Sequence, residues 1–124
     1  MDNNVKNVFD MSGKTVLITG AGGLLGPKHA EAVIEAGARA VITDHHKGRA
    51  VRRAQELNEK YGRECAIAFH MDVTSKESIE NVVNKLDRID VLINNAAKDP
   101  KVKKEAGLTP DSRFETMTPE YWNE

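Results

Sequence analysis

Between Lys14 and Ile93 the chain switches repeatedly between two spacings of apolar residues: short β-branched runs, and longer segments with apolar positions every three or four residues. Val16, Leu17 and Ile18 form the first run, entered through the turn-like Ser12-Gly13-Lys14. Leu24 to Ala36 then places Ala30, Val33, Ile34 and Gly37 on a helical stripe, with Pro27 in the first turn and Gly37 as C-cap. A second strand is predicted over Ala40 to Thr43. Lys47 to Tyr61 predicts a helix marked by Val51, Ala54, Leu57 and Tyr61 and stopped by Gly62. "CAIAF", continued by Met71 and Val73, predicts a third strand. Thr74 and Glu77 read as a capping box ahead of Ile79, Val82, Val83 and Leu86, and "IDVLI" as a fourth strand. The order β-α-β-α-β-α-β forces parallel strands with right-handed helical crossovers, an α/β class.

The periodicity stops after Ala97. Residues 98–117 predict a long Lys-rich loop, and Thr118-Pro119-Glu120 reads as the start of a helix over 118–124. The chain of 124 residues is thus expected to form one domain, with its core over 13–97. A formal net charge of -1, from 18 basic and 19 acidic residues, gives no global field favouring nucleic acid or an anionic membrane. The single cysteine, Cys65, excludes an internal disulfide and fits a reducing compartment. With no signal-like start and no apolar run of membrane-spanning length, the expectation is a soluble, cytoplasmic protein. The four histidines, His29, His45, His46 and His70, show no ligand spacing, so no metal site is expected, and His70 is expected to pack at a strand end. Lys98, Lys101, Lys103 and Lys104 read as a solvated loop face rather than a lure for an anionic substrate.

"TGAGGLLG" sets Gly20, Gly23 and Gly26 at three-residue intervals between the first strand and the first helix. Glycines there permit a sharp turn, close approach of backbone N–H groups to a pyrophosphate, and tight packing of helix on sheet. The helix N-terminus adds unpaired N–H groups and a positive dipole end. Asp44 ends the second strand, where a carboxylate accepts ribose hydroxyls and repels a 2′-phosphate, favouring NAD over NADP. The alternatives are an ordinary strand-to-helix turn, and an Asp44 that merely ends a strand or caps a helix. Lys47, or a protonated His45 or His46, could accept a phosphate and keep NADP open.

"GKTVLITGAGGLLG", "AVITD", "HMDVTS" and "IDVLINNAA" together resemble the first half of a short-chain dehydrogenase/reductase, over about Phe9 to the end. The resemblance implies a Rossmann-type doubly wound parallel sheet, first half only, with strand order 3-2-1-4. It further implies that Asp72 and Val73 flank the adenine, that Asn95 and Ala96 line the inner ribose and brace the fourth strand, and that Leu25 contacts the cofactor. Leu24 stands where the standard-length branch has a glycine, and Ala97 where Asn-Asn-Ala-Gly is more common. The loop "AAKDPKVKKEAGLTPDSRFE" resembles members serving sugar-acid and surface-glycan pathways.

In that family a tyrosine acid/base works with a lysine four residues later, on the same helix face, and a serine places the carbonyl. Here Tyr61 is followed at that distance by Cys65, and Tyr121 by nothing. The expectation is therefore a dinucleotide-binding half of an oxidoreductase that moves hydride between NAD(H) and an alcohol or carbonyl, without turnover on its own. A nucleotide-binding regulatory module and a subunit completed by a partner chain are the rivals. With only half a sheet, Val91 to Ile93 form an apolar edge that invites self-association.

Overall fold

The computed structural model describes residues 8–97. Its elements in chain order are β1 (Thr15–Ile18), α1 (Gly26–Glu35), β2 (Arg39–Asp44), α2 (Lys47–Tyr61), β3 (Ala66–His70), α3 (Lys76–Val83) and β4 (Val91–Ile93). The expected loop 98–117, the helix start at 118–124, the loop lysines and Tyr121 lie outside the described residues, as does most of the segment likened to sugar-acid enzymes.

All four strands are parallel, in the order β3-β2-β1-β4. Val16 lies between Ala40 and Val91, and Ile18 between Ile42 and Ile93. Alternate residues of β1 and β2 face opposite sides, and both sides are covered, which is why these strands read as unbroken apolar runs. Val16, Ile18, Ala40 and Ile42 pack with Ala30, Val33 and Ile34 of α1 and Ala50, Ala54 and Leu57 of α2. Leu17 and Val41 pack on the other side with Met71 and Val82, flanked by Ile79 and Leu86. Ile18, Ile34 and Ile42 are fully enclosed, each stabilising the fold by roughly 1.5–3 kcal/mol through burial.

Helices on two faces of a parallel sheet in the order 3-2-1-4 constitute the first half of a doubly wound Rossmann-type α/β fold, as the family resemblance implies. Among the described residues, no helix is long and apolar enough to cross a membrane.

Several local expectations are corrected. The third strand ends at His70, and Met71 lies beyond it, its N–H donating to the Asp44 carbonyl over 3.0 Å. The capping box is not formed. Asp72 Oδ1 accepts from both the N–H and the hydroxyl of Thr74, which turns the chain and leaves Ser75 as N-cap, its Oγ accepting from Ser78 N–H. On α2 the buried stripe is Ala50, Ala54 and Leu57; Val51 is exposed, because small Ala50 lets the helix sit close to the sheet. Gly37 lies one residue past the cap of α1, at φ 100°, where its N–H bonds the Ile34 carbonyl and the Ala38 N–H bonds that of Val33. Leu24 is outside α1 and 86% exposed, and His70 is exposed rather than packed.

Candidate functional site

The chain leaves β1 through Thr19 and makes its glycine turn before α1. Gly20 adopts φ 59°, and a Cβ there would stand 2.7 Å from the Ala96 Cα, so only glycine fits between the turn and the end of β4. A Cβ on Gly26 would lie 2.3 Å from the Ala21 Cα, which holds the first turn of α1 against the backbone leaving the sheet. Gly23 donates its N–H to the Gly20 carbonyl at 3.2 Å, and its Cα faces comparatively open space.

The N-terminus of α1 has no side-chain cap and no acidic residue in its first turn, and Pro27 brings no N–H. Among the described residues, the backbone N–H groups of Leu24, Leu25 and Gly26 donate to no protein acceptor. This end of α1 is therefore ready to take an anion.

A cleft of about 420 Å³ opens at the carboxyl ends of the strands. Gly20 follows β1 into its wall, His45 follows β2, Met71 to Thr74 follow β3, and Ala96 and Ala97 follow β4. Of the residues singled out from the sequence, Gly20, Asp72, Val73 and Ala96 are brought together on this wall, whereas Gly23, Leu25, Gly26, Asp44 and Asn95 do not line it. Gly26 is buried under the turn, and Leu25 is exposed as the N-cap of α1.

Asp44 lies at the end of β2 behind the turn. Its Oδ2 accepts the Gly22 N–H at 3.1 Å and its Oδ1 the His46 N–H at 2.8 Å, and its side chain is only 5% exposed. The sequence reading missed Gly22, whose added Cβ would meet the Asp44 carboxylate at 2.9 Å and the Arg49 Cβ at 2.6 Å. The Asp72 carboxyl is held below its ordinary range, first by the Thr74 hydroxyl and then by the Thr74 N–H, with His45 and His70 adding smaller electrostatic contributions.

Asn95 acts from behind the cleft. Its Nδ2 donates to the carbonyls of Thr19 and Gly20, each at 3.1 Å, while Thr19 Oγ1 accepts the N–H groups of Asn95 at 3.1 Å and Ala96 at 3.0 Å. Thr19, also missed from the sequence, thus ties the entry to the glycine turn to the end of β4. The only earlier signal was a hydroxyl residue where a purely apolar strand stops.

A glycine turn feeding an uncapped helix, beside a cleft at the carboxyl ends of a parallel sheet, defines a Rossmann-type NAD(P)-binding fold. The short chain dehydrogenase family profile matches residues 14–124. The chain belongs to this family of oxidoreductases. It is 35% identical over 118 residues to a 3-oxoacyl-(acyl-carrier-protein) reductase of Aquifex aeolicus, covering 92% of this chain and 43% of that one. A short chain dehydrogenase from Mycobacterium smegmatis shares its fold with a TM-score of 0.69 and 34% identity, over 92% of this chain and 45% of the other. A 3-ketoacyl-(acyl-carrier-protein) reductase from Brucella melitensis, solved with NADH, gives a TM-score of 0.66 and 29% identity, over 91% and 42%. The chain thus spans less than half the length of each of these proteins.

Proposed function

We propose that this chain is the cofactor-binding half of an NAD-dependent oxidoreductase acting on an alcohol or carbonyl compound, and that the 124 residues alone bind dinucleotide without turning it over. The observation that carries the reading is the uncapped start of α1 behind the glycine turn, next to the cleft at the strand ends. The residues present suit the cofactor: at positions 20, 22 and 26 a Cβ would collide with the protein's own Ala96, Asp44 and Arg49, and Ala21, so the turn packs tightly as the glycine fingerprint requires, while Gly23 faces comparatively open space where a pyrophosphate could approach.

In this reading Gly20, Gly23 and Gly26 shape the cradle, Leu25 covers it, and the N–H groups at the start of α1 bind phosphate oxygens. Asp72 and Val73 hold the adenine edge, and Asn95 and Ala96 the inner ribose. Asp44 keeps a spare lone pair on each oxygen for ribose hydroxyls, and its charge disfavours a 2′-phosphate, so NAD is preferred. When bound, the nicotinamide ring supplies the hydride acceptor or donor. The chain's own residues bind and orient; within these 124 residues Tyr61 is followed four positions on by Cys65 instead of the lysine that would equip it to move the substrate proton. A cytoplasmic setting accords with a buried, free Cys65.

Titration of the purified chain with NAD+ tests both halves of the proposal. Saturable binding with no NADH formed from a panel of alcohols is expected. Absence of binding would overturn the dinucleotide reading, and NADH production would overturn the lack of turnover.

A further inference from the structure

Parallel strands all begin on one edge of their sheet, so the residues that enter β1, β2 and β3 meet at the end opposite the cleft. Lys14 precedes β1, Arg39 opens β2 and Arg63 leads into β3. The Lys14 carbonyl accepts the Arg39 N–H at 2.9 Å, which sets the first two side by side. All three line a hollow of about 220 Å³, together with Gly13, Thr15 and Glu64. At about 3.3 Å per residue, β1 holds this hollow roughly 13 Å from the glycine turn, too far for one bound phosphate to serve both. The lining sets three cations against one carboxylate, in a chain whose formal net charge is -1. Among the described residues, Lys14, Arg39 and Arg63 form no ion pair. Asp90, close enough to Lys14 to feel its charge, is held by Arg88 and the Thr15 N–H.

Helices α1 and α2 also end on this side, and a helix C-terminus attracts cations. That demand is already met by backbone: Gly37 and Ala38 donate to the carbonyls of Ile34 and Val33, and Gly62 and Arg63 to those of Glu59 and Asn58. Of the three cationic side chains only Arg63 joins in, 3.4 Å from the Ile34 carbonyl oxygen, which leaves its other N–H groups and the whole of Lys14 and Arg39 uncommitted among the described residues. The backbone N–H groups of Gly13 and Glu64 likewise donate to no acceptor among the described residues. We propose that this hollow is a second anion site, which binds a phosphate dianion independently of the dinucleotide. Arg39 and Arg63 supply planar N–H forks suited to phosphate oxygens, and Lys14 supplies a point charge. Glu64 opposes the ligand and limits its affinity. A phosphate held there joins the entries of three neighbouring strands.

The test is titration of the full chain with inorganic phosphate at about pH 8, where the dianion predominates, followed by NMR of the backbone amides at an ionic strength held constant with chloride. Saturable shifts are expected at Gly13, Arg39 and Glu64. Arg39→Gln and Arg63→Gln should each weaken binding about fivefold, the change that an exposed ion pair supplies, and Glu64→Gln should tighten it by a similar factor. Arg52→Gln, which removes an exposed cation of α2 that pairs with Glu56, should leave binding unchanged. Methyl phosphate separates the two sources of the ligand: binding equal to that of inorganic phosphate assigns the site to phosphate monoesters, and weaker binding assigns it to free phosphate, both in support of the proposal. Shifts that fail to saturate, or that persist undiminished in Arg39→Gln, would overturn it and leave the dinucleotide reading intact. Shifts confined to Leu24, Leu25 and Gly26 would also overturn it, because they would place the phosphate at the start of α1.

Discussion

Replacing Gly26 with alanine asks whether the helix and the sheet are held apart by the width of a single hydrogen. The new Cβ would stand 2.3, 2.7 and 2.8 Å from Cα, O and C of Ala21, all backbone atoms that no rotamer change can move. Overpacking of a dense interior costs about 1–3 kcal/mol, and a clash with backbone belongs at the upper end. Alanine's better helix propensity returns at most about 1 kcal/mol at this first helical position, leaving a net loss of about 2 kcal/mol. With a urea slope of about 1–3 kcal/mol/M, the midpoint should fall by roughly 1 M. Two companion variants separate the clash from a generic glycine effect. Gly23→Ala places its methyl 3.4 Å from the Gly20 carbonyl, an ordinary contact, so the midpoint should stay within about 0.5 kcal/mol of the parent while NAD+ binding weakens. Gly48→Ala, in α2 with nothing within 4 Å, should stabilise by up to about 1 kcal/mol. A Gly26→Ala protein with the parent's midpoint would refute the packing argument, and a Gly23→Ala protein that binds NAD+ as well as the parent would refute the proposed cradle.

Two further outcomes are expected. Asp90 has its carboxyl lowered below the ordinary range of roughly 3.9, first by the Arg88 guanidinium and then by the Thr15 N–H. A depressed folded-state pKa stabilises above the unfolded value and is lost as the pH falls through the folded one, so stability should decline on acidification below about pH 4, and Asp90→Asn should flatten that limb of a denaturation profile. At the sheet edge, Leu92 is 54% exposed and borders an apolar hollow with Val83 and Ile89, which leads us to propose self-association through β4. Leu92→Lys should then shift sedimentation toward monomer without lowering the unfolding midpoint, and a parent chain that is already monomeric at high concentration would refute the edge argument.

The elements and their order were legible because parallel strands buried on both faces leave apolar runs no helix shares, as "TVLI" and "AVIT" do. Side-chain competition at the ends was not legible. Whether Thr74 or Ser75 caps α3 depends on Asp72 capturing both Thr74 donors, a contest between adjacent residues that spacing alone does not decide. On α2 the expected stripe holds at Ala54 and Leu57, and only Val51 gives way, to Ala50: Val51 is the more apolar side chain, but the smaller Ala50 allows the close approach. At the site, the turn glycines stand out by their intervals, whereas Gly22 matters through contact with Asp44 and Arg49, and Thr19 through bonds to Asn95 and Ala96. Such partners, distant along the chain, have no local signature.

The tie between Thr19 and Asn95 also fixes when in folding the cleft comes into being. Its partners are 76 residues apart, so β1, the glycine turn, both helices on one face and α3 must all be laid down before the bond can close. Closing so long a loop is slow relative to forming any of its helices, which makes docking of β4 a late step. A nascent chain that has emerged only as far as β3 has the glycine turn but lacks the Ala96 wall and the brace on the Gly20 carbonyl. The nucleotide capture proposed for this chain would therefore report that its fourth strand has arrived.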